Sequence, residues 1–336
     1  MEQLGKKIKL LSLLSVLFLW ACGEETSTSS SSQSTESEGP AKPVFVPDFN
    51  ADSAYYFIQK QVEFGPRVPN TPEHRAAGDF LADQLAAYGG KVKSQRGEVT
   101  AYDGTMLQMR NIMATFYPEK TRKVLLCAHW DTRPFADQDD ENQKEPIAGA
   151  NDGGSGVGVI LEIARLLQEN EPELGVEIIL FDAEDYGRPS FEPVGSYEGN
   201  TYCLGSQYWA ERMSPSKYFA DFGILLDMVG AKDAVFKQEE YSRKYAPAVV
   251  KKVWGTAHRI GHDRYFSKSH TGPVVDDHIY VNQAGIPCVN IIQFDSHATN
   301  AFGDFWHTHQ DDMGIIDKNT LKAVGETVMT VIFEAR

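Results

Sequence analysis

Cysteine is scarce in this 336-residue chain: there are four, and no two form a Cys-x-x-Cys pair. That excludes a cysteine-built zinc ribbon and a dithiol redox centre, and leaves no disulfide framework to hold the fold. Positive charge is also short. Thirty-two Lys and Arg face 47 Asp and Glu, a formal net charge of -15, whereas a nucleic-acid surface needs clustered cations. No apolar run reaches the roughly 20 residues that a membrane-spanning helix requires. Also missing are a Gly-x-Ser-x-Gly elbow and a glycine-rich loop followed by Lys-Ser or Lys-Thr, so nothing points to a serine nucleophile or a P-loop. What is present, 42% hydrophobic and 24% charged residues, is the composition of a globular protein stabilised by its core.

The N-terminus reads as a targeting segment. Lys6, Lys7 and Lys9 precede an apolar stretch, Leu10 to Ala21, that ends Leu19-Trp20-Ala21-Cys22-Gly23. This resembles a bacterial lipoprotein signal, which implies removal of residues 1–21 and lipidation of Cys22. The plainer alternative is an ordinary signal peptide with an incidental cysteine; either one exports the chain. The Ser/Thr-rich segment that follows cannot bury apolar surface and is expected to be a disordered tether over residues 22–43. A single α/β domain is expected over 44–336. The protein is thus expected on the cell envelope, on its periplasmic or outer face, touching membrane through its anchor alone. Cys127 and Cys288 lie inside apolar runs, where a lone cysteine behaves as a small hydrophobe.

Beyond Pro43 the hydrophobic periodicity alternates between helix and strand. Helices are expected after Asn50 and Thr71, at Val157–Leu167, Ser206–Met213, Ala246–Ile260 and Lys318–Phe333. Short apolar runs at Lys123–Ala128, Val176–Phe181, Phe222–Leu226 and Cys288–Ile292 read as buried strands, and Leu107–Phe116 as an alternating one. Such an order predicts a three-layer sandwich: a central mixed, mostly parallel sheet with helices on both faces.

The polar residues that need explaining follow those strands. His129 and Asp131 follow one; Asp182, Glu184 and Asp185 follow another; Asp227 ends a third. Open α/β sheets bind ligands outside the carboxyl ends of their strands, which groups these residues into one site. Adjacent carboxylates such as Glu184-Asp185 repel unless a cation is near; a metal resolves this, with one carboxylate ligating and the other moving protons. Asp152, in Gly149-Ala150-Asn151-Asp152-Gly153-Gly154, is either the N-cap of the next helix or a ligand, the glycines giving the backbone room beside a buried ion. His307 lies in Phe305-Trp306-His307-Thr308. Asp131 is placed to orient His129. Singly, each has a bland reading as cap, core histidine or acidic loop. Together they form a ligand set suited to one metal or two.

In this order, His129-x-Asp131, Asp152, Glu184-Asp185, Asp227 and His307 resemble the co-catalytic zinc exopeptidases of the bacterial leucyl aminopeptidase type, as does Phe64-Gly65-Pro66-Arg67. Five further segments are similar to glutaminyl-peptide cyclotransferases, the bacterial ones above all: His129-Trp130-Asp131-Thr132-Arg133-Pro134, Phe181-Asp182-Ala183-Glu184-Asp185, Leu225 to Ala231, Asp276-Asp277-His278-Ile279 and Phe305-Trp306-His307-Thr308. The likeness runs from about Phe45 to the C-terminus and implies a zinc-exopeptidase fold. It implies one zinc per chain on Asp152, Asp185 and His307, with Glu184 as acid–base residue and Asp276 and Asp227 in its proton network. Trp306 and Phe302 are implied as walls of the substrate pocket. His129 and Asp131 would support the site or help hold a second metal. Two departures stand out: Ala128 replaces a cysteine of the animal enzymes, and Gly187 to Cys203 does not follow their pattern.

The activity implied is cyclisation of N-terminal glutamine to pyroglutamate with loss of ammonia, on glutaminyl peptides or proteins. Two rivals stay open at this point. A two-zinc aminopeptidase would use His129 and Asp227 as ligands, and a non-catalytic binding lipoprotein would keep only the fold. His297 and His309 read as loop residues, and the oligomeric state is open.

Overall fold

The computed structural model describes residues 44–193, 199–213 and 220–335; the leader expected over 1–21, Cys22 and the tether over 22–43 lie outside them. The chain opens with helices α1 (Ala51–Glu63) and α2 (Pro72–Ala87), then strands β1 (Lys91–Thr100), β2 (Met106–Phe116) and β3 (Lys123–His129). Helix α3 (Gly154–Leu167), strand β4 (Gly175–Phe181), helix α4 (Leu204–Arg212) and strand β5 (Phe222–Asp227) follow. After them come β6 (Phe236–Gln238), α5 (Glu240–Tyr245), α6 (Pro247–Arg259), β7 (Phe266–His270), α7 (Asp277–Gln283), β8 (Cys288–Ile292) and α8 (Lys318–Glu334). Capping sets the first starts: the Asn50 side chain accepts from the amides of Asp52 and Ser53, and that of Thr71 from the amide of His74, with Pro72 in the first turn.

Six strands form the main sheet in the order β1-β2-β4-β3-β5-β8. The four strands β4, β3, β5 and β8 run parallel, β2 is antiparallel to β4, and β1 to β2. Side-chain alternation divides the core. Leu126 and Ala128 of β3 point into a large cluster with α1, α2, α3, α6 and α8. Leu125 and Cys127 point the other way, against Trp209 of α4 and Val281 of α7. This gives the three layers, and Cys127 and Cys288 pack as small hydrophobes in the second cluster.

Strand β3 lies between β4 and β5, so the chain leaves β3 on one side and returns past it to the other. That reversal opens a crevice at the carboxyl ends of these strands. Helix α3 lies over them, and only one of its residues escapes full burial. The close fit depends on Gly156, where an added Cβ would stand 2.1 Å from the Leu226 carbonyl oxygen.

Several elements were not legible in advance. Strand β1 is polar and its burial alternates between partial and exposed; an edge strand held by ten residue pairs with β2 needs little apolar content. Helices α5 and α7 span only 6 and 7 residues, too short for periodicity to show.

Gly156→Ala is expected to cost about 1–3 kcal/mol or prevent folding, by overpacking α3 against β5. Gly255→Ala, exposed on α6 with nothing within 4 Å of the added carbon, is expected to gain about 0.5–1 kcal/mol. Denaturant midpoints of the two variants check this; equal shifts would contradict it.

Candidate active site and metal centre

Each site residue is aimed by a local backbone device. His129 is the last residue of β3 and Asp227 the last of β5. Ala183, Met228 and His307 itself have positive φ, at 54°, 47° and 56°. Left-handed backbone at non-glycine residues is costly and persists only where the surroundings fix it. Here it turns the chain sharply just before Glu184, just after Asp227, and at His307. The Asp131 carboxylate accepts from the amides of both Glu184 (3.0 Å) and Asp185 (3.1 Å), fixing the two acids as a unit.

The glycine turn settles the role of Asp152 within the fold. Gly153, not Asp152, caps α3, and no side chain bonds to that cap. The amides of Asn151 and Asp152 instead donate to the Asp311 carboxylate, at 2.7 and 3.0 Å, so the Asp152 side chain is free to face the crevice. The glycines bring this turn against β3: a Cβ on Gly153 would stand 2.4 Å from the His129 carbonyl oxygen. Arg67, fully buried, ties the same turn down by donating to the carbonyls of Trp130, Ala148 and Gly149.

Among the described residues, three clusters of ligand-type atoms result, each within 4.8 Å. The first joins Asp152, Asp185 and His307; His307 Nε2 lies 3.3 Å from Asp185 Oδ1 and 3.8 Å from Asp152 Oδ2. Donors on a tetrahedral zinc with bonds of about 2.0–2.2 Å stand roughly 3.3–3.6 Å apart, so the spacing suits that ion. Asp185 Oδ2 is buried without a hydrogen-bond partner, as a ligand oxygen awaiting a cation would be. The second joins His129, Asp152 and Asp227: His129 Nε2 lies 3.0 Å from Asp152 Oδ1 and 3.2 Å from Asp227 Oδ1, distances that hydrogen bonds also satisfy. His129 Nδ1 is 3.5 Å from Asp131 Oδ1. The third joins Glu184, Cys203 and Asp276.

The electrostatics follow from crowding. Burial, reinforced by Asp185, Asp276 and Asp277, pushes the Glu184 carboxyl well above the carboxylate range, although His129 opposes it. Burial and the charge of Asp276 raise Asp227 to about 7. Burial also raises Asp276, against the pull of His278, His129 and Asn290. Burial disfavours the His129 cation, yet Asp131, Asp152 and Asp227 outweigh it and raise its pKa.

A cavity of about 500 Å³ opens onto all three clusters. Phe294, Phe302 and Trp306 form one wall, successive rings 4.7 Å apart, and Trp306 stacks on His307. Asn200, Tyr202 and Val274 also line the cavity. Asp152, Glu184, Asp185, Asp227, Asp276, Phe302, Trp306 and His307 line this cavity, and His129 and Asp131 are buried beside them. Asp182 does not line it: it faces His74 at 2.8 Å and the amide of Arg110, on the far side of the Trp130 ring. The residue after Phe181 points away from the one that follows the turn, which strand-end grouping alone could not resolve. His309 bonds Asp139 at the surface and His297 is exposed, both outside the crevice. Sequence reasoning missed Asp137, Asp311, Tyr202 and the contact of Cys203 Sγ with Glu184 Oε1 at 3.0 Å. None sits at a strand end, so position gave no signal.

The fold and the strand-end ligand set define an exopeptidase-type α/β protein. Residues 111–332 match the model of peptidase family M28, and the chain belongs to that family. It is similar to the glutaminyl cyclase of Tannerella forsythia, with 51% identity, a TM-score of 0.83, and coverage of 86% of this chain and all of that one. A zinc-dependent exopeptidase structure from Parabacteroides distasonis is 48% identical with a TM-score of 0.84, over 87% of this chain and 100% of its own. The glutaminyl-peptide cyclotransferase of Bos taurus is 23% identical over 253 residues, 67% of this chain and 65% of that protein. The chain spans only 41% to 65% of the length of the first curated relatives it matches.

Removing metal with a chelator should leave the protein least stable at high pH. A carboxyl or histidine with a raised folded-state pKa contributes stability that is lost as pH climbs through that value, about 7 for Asp227. The melting temperature of metal-free protein should therefore fall from about pH 4 to about pH 7 while the metal-loaded form changes less. Parallel curves for the two forms would contradict this.

Proposed function

We propose that the protein is a glutaminyl-peptide cyclotransferase, converting the N-terminal glutamine of peptides to pyroglutamate and releasing ammonia with one zinc held by Asp152, Asp185 and His307. The observation that carries this reading is the closeness of Glu184 to Asp276 in the cavity that the ligand cluster also lines. Asp276 is fixed from two sides: Asn290 Nδ2 donates to one of its oxygens and the Asp277 amide to the other, both at 2.5 Å. Two carboxyls crowded into one cavity raise each other's proton affinity, which suits them to moving protons between two nitrogens.

When bound, zinc supplies Lewis-acid polarisation of the γ-carboxamide. The chain's own residues do the rest. Glu184, as the carboxylate, accepts a proton from the α-amine nitrogen as that nitrogen bonds the carbonyl carbon of the γ-carboxamide. It returns that proton to the amide nitrogen as the carbon–nitrogen bond breaks, and ammonia leaves. Asp276 raises the proton affinity of Glu184, and Asp227 belongs to the same network. Phe302 and Trp306 cover the cavity and exclude bulk water, so that the amine rather than water attacks. The negative lining attracts a substrate whose α-amine is an ammonium in solution; that group sheds one proton to solvent before its nitrogen attacks.

A second reading, a two-zinc aminopeptidase, is favoured by one feature: the His129–Asp152–Asp227 cluster has the donor types for another ion. In the preferred reading His129 bridges those two aspartates by hydrogen bonds and supports the single site.

The two separate in one assay. Purified protein is expected to release ammonia and a pyroglutamyl product from a Gln-initiated peptide and to leave a leucine anilide intact; the opposite pattern would exclude the cyclotransferase. Glu184→Gln is expected to lower turnover at least 10²-fold with zinc retained. Loss of zinc in that variant would mean Glu184, not Asp185, is the ligand.

A further inference from the structure

Behind the Asp152–Asp185–His307 cluster lies a closed ring of four side chains. Asp137 Oδ1 faces His307 Nδ1 at 3.3 Å and accepts from Arg133 Nε at 2.6 Å. Arg133 Nη1 reaches Asp185 Oδ1 at 3.2 Å, and that oxygen stands 3.3 Å from His307 Nε2. All four side chains are at most 3% exposed. The ring therefore passes through two of the three proposed ligands and is completed by two residues that ligate nothing.

The ring is itself held. Arg133 Nη1 also donates to the Asp185 carbonyl at 3.0 Å, gripping both ends of that residue. Its guanidinium lies over the Tyr202 ring, 5.4 Å from the centroid. The second oxygen of Asp137 accepts from the Ser190 amide at 2.6 Å, and Ser190 Oγ donates to the Asp137 carbonyl. Four residues on three separate segments are thus locked together before any ion arrives.

Resting on the zinc reading above, we infer that Arg133 and Asp137 are positioning residues that set how tightly the metal is held. The Asp137 carboxylate, in ion-pair contact with Nδ1 rather than in hydrogen-bond geometry, favours the proton on that nitrogen and leaves Nε2 to face the ion. Arg133 restrains Asp185, holding one oxygen by a hydrogen bond while the other, Oδ2, keeps no partner among the described residues. It also offsets the repulsion between Asp185 and Asp137 that would otherwise spread the site. A lysine cannot reproduce this, because the two contacts use different nitrogens of one planar fork.

The test measures zinc affinity by competition with a chromogenic chelator, on metal-free protein, for the wild type and for Asp137→Asn, Arg133→Met and Arg133→Lys. Both Asp137→Asn and Arg133→Met are expected to weaken zinc binding about 10- to 100-fold, and Arg133→Lys to restore it only in part. Circular dichroism and the melting point of the metal-free proteins monitor folding, and Arg133→Lys carries the test where Arg133→Met does not fold. Unchanged affinity in folded variants, with or without a lower melting point, would overturn the inference. Absence of zinc from the wild type would instead overturn the functional reading on which it rests.

Discussion

Buried carboxylates outnumber buried cations at the ends of the central strands, and the rest of the site is arranged around that imbalance. Asp131, Asp152, Asp185, Asp227, Asp276 and Asp277 are all buried, against His129, His307, Arg67 and Arg133. Like charges at such spacing cannot all stay ionised without compensation. The structure compensates in three ways. Amides take up Asp131 and Asp311, guanidinium and imidazole groups take up Asp137 and part of Asp185, and raised pKa values hold Glu184 and Asp276 toward the neutral form. Among the described residues, Asp185 Oδ2 and both oxygens of Asp277 are left without a hydrogen-bond partner. On the proposed reading a divalent cation meets the first of these.

The fold makes the crowding possible. Parallel strands buried on both faces force the chain to emerge at one edge, and the reversal about β3 keeps that edge open as a crevice. The left-handed residues Ala183, Met228 and His307 then turn neighbouring side chains inward within a single step. Such strain is affordable because the strands below are rigid: every residue of β4 and β5 is buried. Gly153 and Gly156 let the Asp152 turn and α3 lie against the ends of β3 and β5.

Much of this was legible in the sequence, and the limits have physical causes. Apolar runs at Lys123–Ala128 and Val176–Phe181 located the central strands, and strand-end placement collected His129, Asp131, Glu184, Asp185 and Asp227. Periodicity failed for β1, whose polar edge needs no core face, and for α7, whose 7 residues make only about two turns. The same strand-end logic wrongly drew in Asp182, because a one-residue change of direction lies between it and Glu184. Asp152 could be read as a cap or a ligand; only the capping of α3 by Gly153 separated the two. Asp137 and Asp311 were invisible because their roles depend on partners about 160 to 170 residues away, in contacts that no local pattern encodes.

The central claim is that one cation, on Asp152, Asp185 and His307, balances the carboxylate cluster, while His129 spans Asp152 and Asp227 by hydrogen bonds. Counting zinc on the intact, folded protein by native mass spectrometry, after saturation and removal of loosely bound metal, tests it most directly. One zinc per chain, lost on His307→Ala and kept on His129→Ala, is the predicted result. Two per chain, with one lost on His129→Ala, would contradict it.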